Sequence, residues 1–585
     1  MKGANVVKTA TGSARSGTLG AILAADIGGV HTRAVLLDLV EGQYRLISRA
    51  QALTTAAPPV GDVAVGLRHA LDKMTLQTGR YFMDNQNNIL LRGTQDGSGA
   101  NAFFATASAG RPMRVTLAGL MPDMSLAAAR RALNSTYIEL TDVLSLNDTR
   151  TPEAQLNTLL RNQPDVIFVV GGTNEGATAP IRELLKTIRF GVLLSLDPKP
   201  AVLYAGNEAL HAEVADMLRA DTRLYIAPNV RPNLRSDSLE AVELELALLY
   251  GEWRAASVGG FEEVKSLSDM GVLPTAQAAA NIVRYLGELP ENPTGALLID
   301  VGSGITSVTA GFKGDVSTTL RADLGLGISA VLATQAVGAP TITRWLSFAA
   351  SDTEIIDYAW NKTFRPTTIP AVQRDLELEG ALLREIVKMA VSGARHAWNG
   401  RAVPNRIIAA GGGLAVEHNP ALGALLLLDG LQPTGVITIH LDPFGLIPAL
   451  GAVAYLDSAA AIQTLDSGIL PSITALCPDG RASGSVAMEV TIKYAGGREI
   501  GRSVPAGSLR LIPIPAGQKA RVTVKLSRGL SLGGKRRVTI DVENGTTALL
   551  CDGRGRPISL SRDVNRRAAN LQKWYAAIRG QEGGA

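Results

Sequence analysis

Residues 22–38 read ILAADIGGVHTRAVLLD, and residues 296–312 read ALLIDVGSGITSVTAGF. Each is an apolar run, an Asp-x-Gly turn and a second apolar run. A third strand-like segment follows each closely, QYRLISRA at 43–50 and DVSTTLR at 315–321. Short apolar stretches bounded by Gly and Asp read as strands. One plan of strand, turn, strand and strand therefore occurs twice, at Asp26 and again at Asp300. Glycines in such turns let backbone N–H groups approach phosphate oxygens with no Cβ in the way. An aspartate at the strand end can hold a hydrated Mg²⁺ that neutralises phosphate charge.

These rules make Gly28, Gly29, Thr32, Gly302, Ser303, Gly304 and Thr306 candidate phosphate-binding residues, with the two threonines as hydroxyl donors. Asp26 and Asp300 are candidate catalytic residues that hold Mg²⁺ through water. A third element, RIIAAGGG at 406–413, ends a strand on Gly411-Gly412-Gly413. A Gly-rich turn at a helix N-terminus suits adenosine and phosphate. Asp323, in RADLGLG, is a candidate for positioning the water that attacks a γ-phosphate, or else a loop residue capping a helix. His31 can face phosphate, but no acid–base partner is visible for it.

Composition narrows the field. The chain has 585 residues, 46% hydrophobic and 19% charged. That is globular composition and excludes a disordered or acidic-tail protein. Aromatics are 4%, which argues against single-strand nucleic-acid binding by stacking. Two cysteines, Cys477 and Cys551, exclude a disulfide scaffold. Six histidines with no Cys/His cluster argue against zinc. No run of about 18 apolar residues is present, so no membrane helix is expected. Residues 1–20 lack the apolar core of a secretory signal, and a cytoplasmic location is expected. From position 471 there are 19 Lys/Arg against 8 Asp/Glu, a net of +11; before it there are 38 against 45, a net of −7.

The pattern divides the chain into a disordered tail (1–20), a first α/β lobe (21–108), an inserted doubly wound α/β unit (109–260) and a second lobe (261–468). A β-rich region (469–562) and a basic terminal helix and tail (563–585) follow. In the inserted unit, strands are expected at RVTLAGL, VLSL (143–146), DVIFVVGG, AVLYAG and RLYIAPN. Gly171-Gly172-Thr173-Asn174 and Gly206-Asn207 end two of them, where α/β sheets bind ligands; an ordinary strand–helix turn is the plainer reading. Lys535-Arg536-Arg537 reads as a hairpin turn. With Arg554, Arg556, Arg562, Arg566 and Arg567 it could form a basic face for an acidic surface.

The two Asp-x-Gly segments and the glycine run, in this order, resemble the phosphate and adenosine motifs of the actin, sugar kinase and DnaK-type ATPase superfamily. LIPALGAVA (446–454) is similar to its second connecting helix. Within that superfamily the chain resembles the glutamate mutase L family. The narrower likeness is carried by RVTLAGLMPDMSLAAARRA (114–132), PDVIFVVGGTNEGA (164–177), AVLYAGN (201–207), RADLGLGISA (321–330) and KYAGGREIGRSVPAGSLRLIPIPAGQKA (493–520). The resemblance implies an α/β fold with two actin-like (ribonuclease H-like) ATPase lobes, an inserted doubly wound unit and a C-terminal β-rich domain. It also implies ATP/ADP and Mg²⁺ as cofactors, and a chaperone-like reactivating role toward an adenosylcobalamin-dependent mutase. Val30 and Ser307 stand where the family's loops carry a hydroxyl and a carboxylate, which implies weak hydrolysis. Two other readings stay open: a small-molecule kinase of the same superfamily, and a nucleotide-binding scaffold without turnover.

Overall fold

The computed structural model describes residues 19–579 apart from 92–96, 416–418, 516 and 543–544. Residues 1–18 of the expected tail, and His418, lie outside the described residues. β1 (Ile22–Ile27), β2 (His31–Val40) and β3 (Gln43–Leu53) form an antiparallel meander, and β4 (Ala102–Ala107) lies parallel to β1. Every residue of β1 is buried. A strand covered on both faces needs such a near-continuous apolar run, broken here only by Asp26.

The chain then builds the inserted unit. β5 (Met113–Ala118), β6 (Ile138–Leu144), β7 (Val166–Val169), β8 (Ala201–Tyr204) and β9 (Leu224–Ile226) form an all-parallel sheet in the order β6-β5-β7-β8-β9. This is a doubly wound topology. The second strand begins at Ile138, not at Val143 as the apolar VLSL pattern suggests. Only its last residue, Leu144, is buried, and Glu139, Thr141 and Asp142 interrupt its apolar residues, which hides the strand's start from a hydropathy reading.

β10 (Val272–Pro274) returns to pair parallel with β4 and completes the first lobe. β11 (Ala296–Val301), β12 (Thr306–Phe312), β13 (Asp315–Arg321), β14 (Arg406–Ala410) and β15 (Gly435–Asp442) build the second. The strand orders β3-β2-β1-β4-β10 and β13-β12-β11-β14-β15 are the same. In equivalent parallel pairings, Asp26 lies opposite Thr106 and Asp300 opposite Ala410. Two helices, Thr275–Glu288 and Leu446–Val453, pack against each other between the lobes. A Cβ on Gly451 would sit 1.9 Å from the Ala278 carbonyl oxygen, so only glycine permits this crossing.

The second sheet does not stop at β15. β16 (Ser472–Cys477), then strands Thr546–Asp552 and Leu509–Pro513, extend it to eight strands. A four-stranded antiparallel sheet, ordered Glu499–Pro505, Val486–Tyr494, Ala520–Leu526, Arg537–Asp541, packs on that extension. Leu476, Leu549 and Cys551 of the extension share one core with Met488, Val490 and Val522 of the smaller sheet. Among the described residues no helix is long and apolar enough to cross a membrane.

The expected basic face is corrected at two positions. Arg554 and Arg556 are buried, and both pair with buried Asp552 at 2.8 Å. Arg554 also meets Asp429 at 2.7 Å, and Asp429 pairs with Arg384 at 2.8 Å. The terminal helix Val564–Ile578 adds Leu571, Trp574 and Tyr575 to the second lobe's core. Lys535, Arg536 and Arg537 are exposed at a Gly533-Gly534 turn, where Leu532 and Lys535 exchange backbone hydrogen bonds.

Candidate nucleotide site

The twin turns have the same internal geometry. Gly28 N–H donates to the His31 carbonyl at 3.0 Å, and Gly302 N–H to the Ile305 carbonyl at 2.9 Å. A Cβ on either glycine would lie 2.8 Å from the accepting oxygen. Glycine is therefore a steric requirement at both positions. Gly29 is exposed at the tip of the first turn, and Ser303 and Gly304 are half-buried in the second.

Thr32 and Thr306 brace the turns from within. Both are fully buried. The Thr32 hydroxyl bonds that of Thr54 at 2.9 Å, and Thr54 donates its own hydroxyl to the Gly28 carbonyl. Thr306 donates to the Leu324 carbonyl at 2.5 Å. Neither hydroxyl is oriented as the phosphate donor that the sequence suggested. Ser303 Oγ accepts from the Ile328 N–H at 3.0 Å.

The glycine run meets the second of these turns. Gly411 has φ +87°, and a Cβ there would lie 2.0 Å from the Val301 carbonyl and 2.9 Å from Asp300 Oδ1. A Cβ on Gly413 would strike Leu326 at 2.4 Å, whereas Gly412 is exposed with nothing within 4 Å. Asp300, Ser303, Gly411 and the turn at 322–329 thus lie together on the second lobe. Asp323 belongs to that turn, but its carboxylate is engaged by the Arg321 guanidinium at 2.7 and 2.5 Å.

Three carboxylates lie close enough to share an electrostatic field. Asp26 Oδ1 accepts from Thr106 at 2.7 Å and from Thr275, the first residue of a connecting helix, at 2.8 Å. Burial raises the Asp26 pKa, opposed by Arg33 and the two hydroxyls. Asp300 is pushed up to about 7, by burial first and by the Asp26 charge second. Asp442, absent from the expected set, ends β15 and accepts from the Leu446 and Ile447 amides at 2.9 and 2.8 Å. Its pKa is also raised, burial outweighing those two donors. Arg33 is the cation all three share. Its guanidinium is 3.9 Å from Asp26, and its side chain passes Gly445 at the head of the second connecting helix.

Arg254 adds a second buried cation. Tyr250 and Phe261 rings flank it at 5.0 and 5.1 Å, and it donates to the Ala107 carbonyl. It helps to hold Asp26 ionised. Arg33, Arg254, Asp442, Thr106 and Thr275 were all missed from sequence. Asp442 alone carried a signal, an acid just before a Gly and an apolar helix.

Among the described residues no group of three His, Cys, Asp or Glu side chains is arranged to ligate a metal directly. Mg²⁺ usually keeps several waters and takes one or two carboxylates. Two buried acids of raised pKa, Asp26 and Asp300, fit that outer-sphere role.

The inserted unit meets this site through the N-terminal edge of its sheet. Leu320 N–H donates to the Asn134 carbonyl, and the Tyr137 hydroxyl accepts from Ala276 N–H. At the opposite edge, Asn207 and Asn229 tie the Gly171–Gly176 loop down through the Gly172 and Gly176 carbonyls and Asn174 Oδ1. A cavity of about 520 Å³ lies at that edge, lined by Asp123, Arg130, Asn147 and Arg150 among others.

Residues 22–469 match the sequence model of a family described as MutL protein. No curated protein matches the sequence. Solved structures with a similar chain path include a diol dehydratase-reactivating factor in nucleotide-free form (11% identity, 77% of this chain and 99% of that one, TM-score 0.29). Ethanolamine utilization protein EutJ from Carboxydothermus hydrogenoformans is another (10%, 75% and 91%, TM-score 0.26). A third is gluconate kinase from Lactobacillus acidophilus (12%, 77% and 92%, TM-score 0.28). The assignment rests on the match that spans both lobes and the inserted unit: this chain belongs to the MutL protein family.

Proposed function

We propose that the protein is an actin-like nucleotide clamp that binds ATP or ADP with Mg²⁺ between its twin turns. On this reading it serves in the cytoplasm as a reactivating factor for an adenosylcobalamin-dependent mutase. The observation that carries the nucleotide reading is the repeated Gly28/Gly302 geometry beside paired buried acids. Backbone N–H groups of the two turns would receive the phosphates. Asp26 and Asp300 would hold the water shell of the metal, and Gly411–Gly413 would leave room for the adenosine. The bound metal would supply positive charge for both phosphate and carboxylates. Thr275 ties Asp26 to a connecting helix, and Asp442 caps the other. Asp26 and Asp442 would therefore link the nucleotide site to the two connecting helices.

The client is drawn from the glutamate mutase L resemblance. A pull-down from the native organism with ATP, with ADP and without nucleotide tests it. Recovery of a cobalamin mutase that depends on nucleotide state is expected. No mutase under any condition sinks the client assignment. Asp323 held by Arg321 favours a second form of the same reading, binding with little turnover. Phosphate release at an ordinary ATPase rate would rule out that second form.

A further inference from the structure

The turn at 322–329 places an apolar side chain between the two phosphate loops. A Cβ on Gly29 would meet only Ile328 Cδ1, at 3.6 Å, and one on Gly304 would lie 3.8 Å from Ile328 Cβ. The side chain thus spans from the second turn to the tip of the first, across the lobes. It remains 45% exposed, so core packing does not explain it. Its position is fixed from the second lobe. Ile328 N–H donates to Ser303 Oγ at 3.0 Å, and Gly327 N–H to the Ser303 carbonyl at 2.9 Å. The Ser329 hydroxyl, with one proton to give, lies 2.8 Å from the Gly304 carbonyl and 3.0 Å from the Ala322 carbonyl.

Charged phosphate oxygens set against an isoleucine lose water without gaining a hydrogen bond, which is costly. A diphosphate anchored on one loop can leave this gap filled. A triphosphate that bridges both loops must displace the side chain. We propose that Ile328 is a specificity-determining residue that disfavours a terminal phosphate, so that the site prefers nucleoside diphosphate over triphosphate. The inference rests on the nucleotide reading above.

The test is calorimetric titration of the full chain with Mg-ADP and with a non-hydrolysable Mg-ATP analogue. Wild type should bind the diphosphate more tightly. Relieving overpacking is worth on the order of tenfold, so Ile328→Ala should tighten the triphosphate analogue by about that factor. ADP affinity should stay within about twofold, and Ile328→Val should fall between. Leu332→Ala is the control: Leu332 is similarly exposed at 46% and lies within 4 Å of neither glycine's Cβ position. It should leave the ratio unchanged. Binding of both nucleotides with the same ratio in wild type and Ile328→Ala overturns the wedge and leaves the nucleotide site standing. Binding of neither by wild type overturns the site itself, and the inference with it.

Discussion

Burial sets the charge state of single residues beside the twin turns. Asp300 has a folded pKa of about 7, well above the ordinary carboxylate value, because burial and the Asp26 charge disfavour its ionised form. The folded protein therefore holds the proton more tightly than the unfolded chain does. Its contribution to stability is complete below the unfolded pKa and is lost as pH rises through about 7. Every tenfold gain in proton affinity on folding corresponds to roughly 1.4 kcal/mol. Without ligand, the melting temperature should fall between pH 5 and pH 8. Asp300→Asn should flatten that fall while also weakening Mg-nucleotide binding. Parallel curves for the two proteins would place the titration elsewhere. The glycine run offers a sharper contrast. Gly411→Ala forces a Cβ onto the Val301 carbonyl at a left-handed φ. It should cost roughly 2 kcal/mol or more, whereas Gly412→Ala, with open space, should melt close to wild type. Sequence made the glycines and both aspartates legible, because steric need and charge at a turn leave a spacing behind. It did not reveal that Thr32 and Thr306 face inward, since a buried brace and a ligand have the same one-letter code.

At the scale of elements, the repeated strand order gives two distant segments the same setting. Each Asp-x-Gly turn leaves the third strand of the repeated five-strand order, β1 in one sheet and β11 in the other. The first is tied to a connecting helix by the Thr275 hydroxyl on Asp26, while Asp442, which holds the start of the other helix, ends β15, two strands from the second turn. Asp442 serves as a cap for Leu446–Val453, so Asp442→Ala should cost about 1–2 kcal/mol. Hydrogen exchange should report faster opening at the Leu446 and Ile447 amides. Unchanged exchange at those two amides would show that the cap is not what holds this helix end. The apolar alternation in the sequence located most of these strands. It could not show that the strands at 472–477, 509–513 and 546–552 leave the β-rich region to extend the second lobe. Pairing partners far apart in sequence leave no local periodicity.

Across the whole molecule, the charge split takes a different form from a basic tail on an acidic body. Part of the excess positive charge, Arg554 and Arg556, is buried against Asp552 and Asp429 where the β-rich region joins the second lobe. Exposed cations remain at 535–537 and at Arg562 and Arg566. Removing one partner of a buried ion pair strands the other. Asp552→Ala should therefore destabilise by about 3–5 kcal/mol, and urea unfolding should show the second lobe and the β-rich region melting together. Two separate transitions would contradict a shared core. The nucleotide reading stands or falls with the twin turns at Asp26 and Asp300, and equilibrium binding probes them. Fluorescent ADP with Mg²⁺ should bind wild type saturably, and Asp26→Ala and Asp300→Ala should each weaken it by on the order of tenfold or more. No binding to wild type, or equal affinity in all three proteins, would rule out a nucleotide site at these turns.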